Sequence, residues 1–151
     1  MIYRIAWILL IPIDRAAIIC PELRKMWIAP GNPQLLSDIA QIVGELDLSG
    51  LTGEPWLAVQ RTMEGVATAL ERRGRHAQAL MLCDRILERE PADPALLTRT
   101  LATKARSLHA VGLCPAALEC IQQALEIEPE SRHLADERAT ILAATERVGR
   151  G

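Results

Sequence analysis

The feature that most constrains this chain is an internal repeat at a spacing of 38 residues. With Gly74 set on Gly112, Ala79-Leu80, Leu87-Glu88 and Glu90-Pro91 fall on Ala117-Leu118, Leu125-Glu126 and Glu128-Pro129, so seven of eighteen columns are identical. Upstream, Ala67 and Leu70 fall on Ala105 and Leu108. A segment repeated at this length forms the same supersecondary unit twice, and neither copy can bury its apolar face alone. The two copies must therefore stack.

The spacing of apolar residues gives the shape of the unit. Trp56, Val59, Met63, Val66, Ala67 and Leu70 recur every three or four positions, the mark of one buried helical face. Pro55 suits the first turn of that helix, where its missing amide donor would be unpaired anyway. Gly74 enters left-handed backbone cheaply and ends it. A second helix is predicted from about His76 to Glu90, stopped by Pro91. Small residues such as Ala67 and Ala79 let the two helices approach closely, so the unit is a helical hairpin. In the second copy the first helix is predicted from Pro94 to Ala110.

The remaining segments follow the same logic. Leu35, Leu36, Ile39, Ile42, Val43 and Leu46 predict a further helix from Pro33 to about Leu46. After Pro129, the residues Leu134, Ala135, Ala139, Leu142, Ala143 and Val148 mark an amphipathic helix, with Ser131 as its N-cap and Gly149 at its end. No partner helix follows it, so it is expected to cap the open end of the stack. Residues 1–33 are broken by Pro12, Pro21, Pro30 and Pro33 into an irregular apolar segment. The expected organisation is that segment, then a helical domain over 34–151 with repeats at about 56–93 and 94–130 and a capping helix at 131–148.

A small residue, Leu three later, Gly four after that, Ala five after that and Pro twelve after that is the pattern carried by Ala67, Leu70, Gly74, Ala79 and Pro91. Ala105, Leu108, Gly112, Ala117 and Pro129 carry it again. The pattern resembles the tetratricopeptide repeat over about Trp56 to Glu130. The resemblance implies an all-α fold of helical hairpins stacked as a short right-handed solenoid. That family's usual period is about 34 residues, so each copy here has four more, about one helical turn of roughly 6 Å. They are expected to lengthen the helix from Pro94 to Ala110. The large aromatics that the family favours are replaced by Met63, His76, Leu101 and Cys114. More distantly, Gly44-Glu45-Leu46-Asp47-Leu48, Glu54 to Arg61 and Gly74-Arg75 resemble the all-helical bacterial transcriptional activation domain. There a winged-helix DNA-binding domain usually precedes; none is legible in Met1 to Pro33.

Composition excludes several function classes. A formal charge of −2 over 151 residues gives no global attraction to nucleic acid or anionic membranes, and 3% aromatic residues with no Phe leave few platforms for stacking bases. Direct nucleic-acid binding is not expected. Ile5 to Ile13 is too short to span a bilayer as a helix, and Asp14 and Arg15 follow at once without a small-residue cleavage site. A buried segment in a cytoplasmic protein is the expectation, with a signal or membrane anchor, or a misplaced start, as alternatives. Cys20, Cys83, Cys114 and Cys120 form no CxxC pair and no zinc-type spacing, so reduced thiols acting as small hydrophobes are expected, with no metal and no cofactor. His76, His109 and His133 read as polar surface or turn residues. Cys114 lies five residues after His109, a spacing that establishes no nucleophile geometry. No nucleotide, hydrolase or metalloprotease motif is present, so no enzymatic activity is expected.

Stacked hairpins of the resembled type present a concave surface formed by the first helix of each pair. A buried stripe on Met63, Ala67 and Leu70 leaves Arg61, Glu64, Thr68, Glu71 and Arg72 toward that groove. The second copy supplies Arg99, Ala102, Arg106 and His109. Arg99 and Arg106 are two turns apart, so both guanidinium forks are expected to project along one face and suit carboxylates. The expected function is binding of a partner protein or an acidic peptide, against the bland alternative of a solvated helix face. Rival readings are the regulatory domain of a transcriptional activator, which would self-associate or pack on a DNA-binding partner, and an assembly factor anchored to a membrane through its N-terminus.

Overall fold

The computed structural model describes residues 52–89 and 91–151, with positions 37, 40, 41 and 50 before them. The irregular segment 1–33 lies outside the described residues. So does most of the helix predicted over 33–46, of which Ser37, Ala40 and Gln41 are helical. Ala40 is fully buried against the first hairpin, and Ser37 Oγ accepts a hydrogen bond from Gln78 Nε2 at 2.7 Å.

Among the described residues all regular structure is helical: α1 (Gly53–Arg72), α2 (His76–Leu87), α3 (Pro94–Ala110), α4 (Cys114–Ile127) and α5 (Arg132–Gly149). No strand is present among them. α1 begins two residues before Pro55, which still lies among the first amides that no intrahelical carbonyl can use. α2 ends at Leu87, short of the predicted Glu90, and the cause lies in α1. The buried Gln60 side chain donates from Nε2 to the carbonyls of Ile86 at 3.3 Å and Arg89 at 2.8 Å. The Arg89 guanidinium also stacks 3.7 Å over the Trp56 ring. These contacts draw the chain off the helix axis toward Pro91.

Both hairpin turns close through the same two glycine-centred hydrogen bonds. Gly74 and Gly112 hold φ of +76° and +86°, where an L side chain would be strained. Around them Arg75 N–H donates to Leu70 C=O and Leu113 N–H to Leu108 C=O, both at 2.9 Å, while the glycine amides donate to Glu71 and His109 at 3.0 Å. This paired closure satisfies carbonyls left over at the helix end and reverses the chain. The fully buried Ala67 and Ala79 in the first hairpin, and Ala105 and Ala117 in the second, are the small residues the repeat requires.

Each helix packs on the next. α1 also packs beside α3, and α3 more lightly beside α5, whereas α2 and α4 make no comparable contact. The first helices of the hairpins thus lie in contact with one another, and the second helices do not. α3 touches α1, α2, α4 and α5 and is buried on nearly every side, including Thr98, Thr100, Thr103 and Ser107. Small hydroxyl side chains suit that place: Thr98 and Thr100 donate to the carbonyls of Pro94 and Leu96 one turn back, at 2.9 and 2.8 Å. Asp93 caps α3 by accepting from Ala95 N–H at 3.0 Å.

α5 corrects one sequence expectation. Its buried residues are Leu134 and Ile141, while Ala135, Ala139, Leu142 and Val148 of the predicted stripe are exposed. A helix packed on one side buries only a narrow strip, and the bulkier Ile141 covers more neighbouring surface than the alanines can. Ser131 holds the N-cap position, but its side chain makes no capping bond. The thiols of Cys83, Cys114 and Cys120 are free and buried. Burial, reinforced by the Asp84 and Glu64 charges, pushes the Cys83 thiol up to about 12, and burial raises Cys120 as well. Both are protonated at neutral pH, as small hydrophobes.

Candidate functional site on the face of the first helices

The site is set by the register between α1 and α3. Glu64 meets Arg99, Thr68 meets Thr103 and Glu71 meets Arg106, so contacting residues differ by 35 in number although the repeat is 38. Neighbours across the layer are therefore three residues out of step with repeat equivalents, about 4.5 Å along the axis. Arg99, the counterpart of Arg61, is thereby brought to Glu64. Arg106, the counterpart of Thr68, is brought to Glu71.

Arg106 is the centre of this polar seam. Its Nη1 donates to Glu137 Oε1 at 2.8 Å, its Nε to Glu71 Oε2 at 3.4 Å and its Nη2 to Thr103 Oγ1 at 3.1 Å, so one guanidinium ties α1, α3 and α5 together. Burial works against its charge, but the Glu137 and Glu71 carboxylates outweigh that and hold its pKa above the ordinary value. His133 Nε2 also approaches Glu137 Oε1, at 3.1 Å, while Glu137 Oε2 is buried without a hydrogen-bond partner among the described residues.

Farther along the seam the contacts loosen. Arg99 lies 3.6 Å from Glu64 and Arg61 lies 3.6 Å from Asp93. The carboxylates of Glu64, Glu71 and Glu137 are deep, with side chains 13, 16 and 14% exposed, whereas Arg61 and Arg99 are 50 and 56% exposed. Acid thus underlies base along the face. Thr68 is held within it, donating to Glu64 at 2.9 Å and paired with Thr103 at 3.2 Å.

The residues expected to line the groove divide into three groups. Arg61, Glu64, Thr68, Arg99 and Arg106 come together as described. Ala102 does not join them, because it is 6% exposed and packed in the core of the second hairpin. Arg72 is exposed at the C-terminal end of α1 and His109 is half-buried near the end of α3, both at one edge of the face. The expectation that Arg99 and Arg106 both stand off the packed surface as open forks is corrected for Arg106, whose donors are used inside the protein. Sequence reasoning missed Asp93, Thr103, His133 and Glu137. Glu137 shares the face of Leu134 and Ile141, so centring α5 on Ile141 would have found it.

Among the described residues no three metal-binding side chains converge. Comparison of the chain with protein-family models, with curated proteins and with solved structures finds no match in any of the three.

Proposed function

We propose that the chain is a non-enzymatic protein-interaction module, a short tetratricopeptide-like solenoid that holds an acidic segment of a partner against the face of α1, α3 and α5. The observation that carries this reading is the state of Arg61 and Arg99. They occupy equivalent positions in the two repeats, on adjacent helices, half-exposed, each held by a single contact of 3.6 Å. A loose exposed ion pair contributes little, so a partner carboxylate can replace the internal one at small cost. Arg106 plays the opposite part and keeps the layer rigid.

Three structural facts support the reading: the doubled glycine closure, the contact between first helices, and the lack of comparable contact between second helices. Together they support a repeat with an inner and an outer layer. The test is selection of displayed random peptides on the immobilised full chain. Enriched sequences should carry Asp or Glu, and the Arg61→Ala/Arg99→Ala variant should bind them more than tenfold more weakly, since each charge-assisted hydrogen bond contributes about 1.5 to 3 kcal/mol. Gln122→Ala on α4 should leave that affinity unchanged. Enriched peptides without acidic residues, or full binding by the double variant, would overturn the reading.

A further inference from the structure

The connectivity collects charge at one end of the stack. α1 and α3 run parallel, as their constant offset shows. α5 runs back along α4, with Arg138 Nη1 donating to Gln122 Oε1 at 3.3 Å across the hairpin. The C-terminal ends of α1, α3 and α5 therefore share an edge with the turns at Gly74 and Gly112. That edge carries Arg72, Arg73 and Arg75 from the first turn and Arg147 and Arg150 from α5. None of these five makes an ion pair with a described carboxylate. Glu71 is taken by Arg106, which leaves Glu146 on α5 as the nearby countercharge. The opposite end carries Glu54, Glu88, Glu126, Glu128 and Glu130 against Arg89 and Arg132. The described helices are thus polarised in charge along their axes.

The same edge bears apolar surface. Val111 and Leu113, flanking Gly112 at the turn tip, are 48 and 54% exposed, and Val148 is 78% exposed. They are three of the five exposed large apolar side chains among the described residues. Arginines against a nucleic-acid phosphate backbone need no such neighbours. A bilayer surface rewards both at once, because anionic headgroups attract the guanidinium groups while aliphatic tips leave water among the headgroups.

We propose that this edge is a docking surface for an anionic lipid bilayer. Arg72, Arg73, Arg75, Arg147 and Arg150 meet the headgroups, and Val111, Leu113 and Val148 enter the interfacial layer. The contact proposed is peripheral, made by side chains at the helix ends; no helix among the described residues is long and apolar enough to cross a membrane. The helices stand end-on to the surface, which leaves the α1, α3 and α5 face open to a protein partner. The proposal is independent of the acidic-peptide reading, because it uses a different surface.

The experiment is co-sedimentation of the full chain with vesicles of phosphatidylcholine alone and of phosphatidylcholine with phosphatidylglycerol. Binding should require the anionic lipid and fall as salt rises from about 0.05 to about 0.5 M. Each arginine near such a surface contributes roughly fivefold in affinity, so Arg72→Gln/Arg73→Gln should bind on the order of twentyfold more weakly. Leu113→Asn should bind several-fold more weakly at high salt. Both variants keep the buried core, and a circular dichroism melt confirms that they are folded. Equal binding to neutral vesicles, which would report the apolar run Ile5 to Ile13, overturns the proposal. So does wild-type binding by the folded arginine variant, or binding to free polyanions such as heparin with none to vesicles.

Discussion

Replacing Arg106 by Ala removes the guanidinium that joins three helices and leaves two deep carboxylates without it. The bond to Glu137 is short, at 2.8 Å, and that to Glu71 long, at 3.4 Å. Breaking a fully buried pair costs about 3 to 5 kcal/mol. Arg106 is 31% exposed, so water screens part of that. About 2 to 3 kcal/mol remains, in keeping with one strong and one weak charge-assisted hydrogen bond. For a chain of 151 residues that lowers the melting temperature by roughly 4 to 12 °C, read by circular dichroism. Arg99→Ala is the internal control: one contact of 3.6 Å on a half-exposed side chain predicts a loss below about 0.5 kcal/mol. A double-mutant cycle with Glu137→Gln should show coupling of about 1 kcal/mol or more. Equal, small losses in both arginine variants, or no coupling to Glu137, would refute the distinction between a clasp at Arg106 and an open fork at Arg99.

Two further outcomes test the packing. Ala79→Leu or Ala117→Leu places a larger side chain where no exposed surface remains and should cost about 1 to 3 kcal/mol in a thermal or urea melt; no loss for either variant would reject the close hairpin contact. Cys83, with its thiol pushed up to about 12, should resist iodoacetamide at pH 8 until the protein unfolds, as followed by mass spectrometry of the modified peptide. The sign for stability follows, since an unfolded thiol ionises near pH 8.5 to 9 and the folded one does not, so the Cys83 contribution is lost as pH rises from there toward 12.

From Gly53 onward the helices and their order were legible in the sequence because they rest on local chemistry. Pro94 and Ala110 bound α3 as expected, His76 starts α2, and Gly74 and Gly112 reverse the chain, since backbone freedom and missing donors act within a few residues of their cause. The close hairpin contacts were legible for a related reason: alanine at a repeated position advertises a place where nothing larger fits. Which groups meet between repeats was not legible. The sequence repeats at 38, but contact across the layer runs at 35, because the axial slip between α1 and α3 is fixed by how their side chains interlock in three dimensions. That slip turns Arg106 from an open fork into a clasp between Glu71 and Glu137, and leaves Arg99 exposed. Likewise the apolar pattern of α5 pointed to a stripe through Ala135, Ala139, Leu142 and Val148, which the structure leaves exposed. Packing against α4 and α3 selected the face with Leu134, Glu137 and Ile141, since side-chain volume and a partly buried ion pair are weighed against neighbours that lie far away in the chain.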